Sequence, residues 1–125
     1  MVPEDTPDSS EVRISDEVIA AIASVAASEV QGVAAMAGSF AADIGGAILG
    51  RKSLAKGVKV VSGNRDVVLD LYLSVKYGAR IPEVAYQVQE NVKRSVEGMT
   101  DLKVAQVNIH IQGVTFQDAT KEVDQ

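Results

Sequence analysis

The chain contains no cysteine and no tryptophan, only one histidine, and five aromatic residues in all. Without cysteine there is no disulfide, no thiolate zinc site and no cysteine nucleophile. A single histidine, His110, has no second imidazole or thiolate with which to hold a metal. So few aromatics argue against a base-stacking nucleic-acid platform and leave the core to Val, Ile, Leu and Ala. No charged start followed by an apolar run marks a signal peptide, and no stretch approaches the ~18 apolar residues of a membrane span. The expectation is a cytoplasmic protein with no direct membrane span, whose membrane association would run through a partner.

What is present suits one small α/β domain. The 125 residues are 46% hydrophobic and 23% charged, enough to bury a core. The net charge of −5 resides at the ends. Residues 1–11 carry Glu4, Asp5, Asp8 and Glu11 with no base, and residues 117–125 carry Asp118, Glu122 and Asp124 against Lys121. Both ends read as acidic tails, disordered at 1–11 and flexible at 117–125, around a single domain spanning 12–116.

Local patterns supply the elements. Val12 to Ile14 alternates like a short edge strand. Ser15 or Asp16 caps a helix whose apolar positions are Val18, Ile22, Val25, Ala26 and Val30, with Gly32 as its stop. Val33 to Met36 reads as a brief strand, and Lys59 with Val61 as another before the turn Ser62–Arg65. From Asp66 to Tyr77 alternation is clearest, with Val67, Leu69, Leu71, Leu73, Val75 and Tyr77 on one face. Pro82 and Glu83 open a second helix with the buried row Val84, Ala85, Val88, Val92 and Val96, while Glu97 points elsewhere and Gly98 ends the helix. Val107, Ile109 and Ile111 form a last strand. These elements predict a two-layer α/β (α+β) fold, a small mixed sheet of 3–5 strands with two helices on one face. A βαβ crossover occupies the C-terminal half. An offset of 66 residues aligns Glu17, Val18, Ile22, Val30 and Gly32 with Glu83, Val84, Val88, Val96 and Gly98, which fits either a duplication or convergent helix patterning.

Candidate chemistry is sparse. Gly45 to Ser53 resembles a phosphate loop, but Arg51 stands where the lysine belongs and Lys52 where the hydroxyl residue belongs. No cofactor site and no catalytic constellation emerges. Two regions remain as interaction candidates. In the first, Phe40, Ile44, Ala47 and Ile48 have helical spacing and, with Leu49, precede the cations Arg51, Lys52, Lys56 and Lys59. This apolar-then-basic order suits a partner-docking helix or, equally, a loop tucked onto its own domain with solvated cations. Five cations without interleaved aromatics, Arg65 included, are a poor nucleic-acid footprint. In the second region alternation places Asp70, Tyr72, Lys76, Asn108 and His110 on the polar sheet face, where the ordinary role is solvation or partner contact.

Four stretches together resemble the alkaline shock protein family over about residues 11–116. They are Val12–Gly32; Gly50-Arg51-Lys52 with Lys56–Val60; Tyr77-Gly78 with Ile81–Ala85 and Val88–Lys93; and Val107–Ile111 with Gly113-Val114. The resemblance implies a small, non-catalytic cytosolic protein of the Gram-positive envelope stress response. It implies a scaffold or adaptor that self-associates as a homo-oligomer and docks a protein partner, including a membrane-anchored one. Two other readings stay open: a regulatory partner of a fatty-acid-synthesis enzyme such as a carboxylase, and a small-ligand site on the open sheet face around Tyr72, Asn108 and His110.

Overall fold

A computed structural model describes residues 12–37 and 57–116. The order is α1 (Asp16–Ser28), β1 (Val33–Met36), β2 (Val58–Ser62), β3 (Asp66–Lys76), α2 (Ile81–Thr100) and β4 (Lys103–Thr115). β3 is the hub. It pairs antiparallel with β1 and β2 and parallel with β4, giving the expected mixed four-stranded sheet and the β3–α2–β4 crossover. A strand has two edges. β4 takes one along the length of β3, so β1 and β2 share the other, β1 opposite Leu73–Val75 and β2 opposite Val67–Leu71.

The core lies between the sheet and the helices. Val67, Leu69, Leu71, Leu73 and Val75 are buried on one face of β3, and Val84, Val88, Val92 and Val96 face them from α2. α1 adds Ile19, Ala20, Ala23, Ala26 and Ala27. No polar or charged residue is buried among those described. Asn91 Nδ2 donates to the Ala26 carbonyl at 2.8 Å and ties the helices together.

Several expectations change. Val12–Ile14 forms no strand; Val12 is exposed, Ile14 packs at the core margin, and the Ser15 hydroxyl accepts the Val18 N–H at 3.2 Å as the N-cap. The α1 stripe is rotated: Val18 and Val25 are 48% and 58% exposed, and small alanines face inward because they let the helix come close to its neighbours. The 66-residue echo therefore aligns non-equivalent positions, since Val84, the counterpart of Val18, is buried. α1 ends at Ser28, and Gly32 serves the turn into β1 at φ 104°. α2 runs through Gly98 to Thr100, where Asp101 takes the left-handed C-cap at φ 71°. Glu97 turns inward at that end, and its carboxylate accepts the Val104 N–H at 2.8 Å. Tyr77 lies beyond the strand, exposed and stacked on Phe116 at 4.8 Å.

Candidate functional site

The sheet face away from the helices is built by the alternate residues of β3. Each places a side chain outward between the buried Val and Leu positions. Register sets Asp70 opposite Lys59 on β2 and opposite Asn108 on β4, and sets Tyr72 opposite His110. Residues 11 to 40 positions apart in sequence thus become neighbours.

Their geometry is specific. His110 Nε2 lies 3.0 Å from Asp70 Oδ1, and the imidazole stacks on the Tyr72 ring at 4.5 Å and 10°. The His110 hydrogen bond holds the Asp70 carboxyl below its usual range. Partial burial pushes the other way, and the Asn108 side chain with the charges of His110 and Lys59 adds to the lowering. Asp70 is thereby kept as the carboxylate, an acceptor only. The side chains of His110 and Asp70 are 43% and 20% exposed, so the cluster sits on an open surface. Val61 and Val68, paired across β2 and β3, add an apolar patch beside it. They were missed by an eye for polar groups, although they share the parity of Lys59 and Asp70.

Lys76 does not join this cluster. It lies four residues along β3 from Tyr72, about 13 Å at strand rise. Phe40, Ile44, Ile48, Leu49, Arg51, Lys52 and Lys56 lie outside the described residues. The points between which that segment runs are nevertheless defined. β1 ends with Met36 opposite Leu73, and β2 begins with Val58 opposite Leu71, so the chain leaves and rejoins the sheet edge on either side of Tyr72. The Tyr72 N–H donates to the Gly57 carbonyl at 2.9 Å.

A separate shallow groove of about 370 Å³ lies between the end of α1 and the start of α2, lined by Val30, Gly32, Ala79, Arg80, Val84 and Gln87 among others. It shares no residue with the cluster. Among the described residues no group of three or more His, Asp or Glu is placed to hold a metal ion, and no helix is long and apolar enough to cross a membrane.

The model of the alkaline shock protein 23 family, described as having a cell envelope-related function, matches residues 4–116. The Bacillus subtilis protein YqhY is 43% identical over 112 residues, covering 90% of this chain and 82% of its own. A stress response regulator gls24 homolog of Streptococcus pyogenes is 29% identical over 103 residues, covering 82% of this chain and 58% of its own. Among solved structures, the zinc form of a MamM CTD variant superposes with a TM-score of 0.50 at 14% identity, over 83% of this chain and 91% of that one. That likeness concerns the fold alone.

Proposed function

The chain belongs to the alkaline shock protein family, whose function is related to the cell envelope, and from that premise we propose that it is a non-catalytic scaffold of the envelope stress response. It acts by self-association and by docking a protein partner, including one anchored in the membrane. The observation that carries this reading is the cluster of Asp70, Tyr72, Asn108 and His110, with Lys59 across the pairing, on the sheet face away from the helices. A partly exposed cluster on a sheet face suits recognition, whereas catalysis needs a pocket that orders reactants and excludes water.

Affinity purification from membrane and soluble fractions, followed by mass spectrometry, tests this. Phe40→Asp with Ile44→Asp should abolish capture of the partner while the far-ultraviolet spectrum stays native. Undiminished recovery would sink the docking role of the segment. A second reading, a small-ligand site on the open face, draws on the stacked Tyr72–His110 pair and the adjacent Asp70. A ligand screen with no thermal shift dependent on His110 removes it. The remaining alternative, regulation of a fatty-acid-synthesis enzyme, has only the family resemblance behind it; co-purification with such an enzyme is its test.

A further inference from the structure

We propose that the outer edge of β4 pairs antiparallel with the same edge of a second copy, about a two-fold axis at Asn108, extending the sheet across two molecules. This rests on the self-association in the reading above and names the surface that performs it.

β4 is the longest strand, 13 residues, and among the described residues it pairs only with β3. Among the described residues one edge, about 40 Å long at strand rise, therefore has no strand partner, and the Gln89 side chain meets it at the Val107 carbonyl. Protein edges are ordinarily protected by lysine, proline, charge or bulges. β4 has register shifts that leave Ala105 and Gln112 unpaired with β3, but Gln106–Ile111 between them is regular. From Val104 to Phe116 there is no Asp, Glu, Lys, Arg or Pro.

The packing is incomplete on the same side. Val107, Ile109 and Ile111 are only partly buried, whereas their partners Leu69, Leu71 and Leu73 are at most 1% exposed. The uncovered flank continues onto α2. Gln89 Nε2 reaches the Val107 carbonyl at 2.9 Å, which brings that helix face to β4, and one turn earlier Tyr86 is 59% exposed.

A second copy fits this edge better than a charged strand would. Two edges that carry no Asp, Glu, Lys or Arg from Val104 onward approach without repulsion. With the axis at Asn108, Val107 meets the partner's Ile109 on the helix side. On the open side Asn108 meets its own counterpart and Gln106 meets the partner's His110. Apolar faces apolar and polar faces polar, as cross-strand pairing requires.

The full chain is studied by sedimentation and by hydrogen exchange over a concentration series. Association should protect the amides of residues 105–113. Gln106→Lys with Asn108→Lys places edge lysines beside Asp70 without touching the core. It should raise the dissociation constant at least about tenfold and leave the melting temperature near that of the unmodified chain. Asn108→Cys, in a chain with no other cysteine, should give a disulfide-linked dimer on mild oxidation. If the unmodified chain associates while the lysine variant associates equally, or Asn108→Cys fails to cross-link, this edge is not the interface and the scaffold reading stands. If the unmodified chain is monomeric at every concentration, self-association fails and the pairing fails with it. Protection of β4 in a monomer would show the chain covering its own edge, and would also overturn the proposal.

Discussion

Asp70 is the residue at which electrostatics is most specific. Its carboxyl is held below the usual range by the His110 hydrogen bond, so the folded state binds its proton more weakly than the unfolded chain does. The stability it contributes is present above the unfolded carboxylate value, about 3.9, and is lost as pH falls through the lower folded value. Asp70→Asn should therefore be less stable than the native protein near pH 6. The two should converge in denaturant titrations as pH falls through that lower folded value. The glycines give a second comparison. Gly32 and Gly78 both have positive φ, but a Cβ on Gly32 would lie 2.6 Å from Val84 Cγ2, whereas one on Gly78 meets nothing within 4 Å. Gly78→Ala should cost about 1 kcal/mol from backbone strain alone. Gly32→Ala should cost distinctly more, by about 1–3 kcal/mol, because Val84 is buried and cannot swing away. Equal melting temperatures for the two would refute the steric part.

The two helices obey different rules. α2 presents a valine row at helical spacing, and most residues between are charged or amide, so its phase is set by contrast. α1 is rich in alanine and valine around its circumference, and its inward face is chosen by size. Ala23 is fully buried, so Ala23→Leu should overpack the core and destabilise by about 1–3 kcal/mol. Val18→Ala, on the exposed face, should stay within about 0.5 kcal/mol. Thermal melts of the pair decide the phase. For scale, Leu71→Ala at the centre of β3 should cost about 2–5 kcal/mol, since that strand is packed by helices and flanked on both edges.

For the molecule as a whole, the proposed docking role separates stability from recognition. Met36 and Val58 are registered two residues apart on β3, so the intervening chain joins points only about 7 Å apart. Replacing residues 38–56 with two or three glycine or serine residues should preserve a cooperative melt while abolishing partner capture. Loss of the cooperative transition would mean that the segment belongs to the core, and retained capture would place docking on the sheet face alone. The helices cover one side of the sheet, and the Asp70–His110–Tyr72 cluster stands on the other.

Much of this was legible in the residues taken alone. The alternation of Val67 to Val75, the valine row of α2 and the run Val107 to Ile111 are local and strongly contrasted, so periods of 2.0 and 3.6 expose them. The family motifs were equally plain. Less legible were the alanine face of α1, where hydropathy favours the larger valines, and the end of α2, where Gly98 was the stronger local signal than Asp101. The candidate site was legible only as a set of outward positions. That Asp70 meets His110, Tyr72 and Lys59 while Lys76 stays apart depends on register between distant strands, a non-local quantity that no window of sequence carries. Sequence determined the layers, their inward faces in β3 and α2, and the poverty of catalytic groups. Tertiary structure decided which outward side chains meet, where the chain leaves and rejoins the sheet, and which strand lacks a second strand partner among the described residues, because each depends on pairing between segments far apart in the chain.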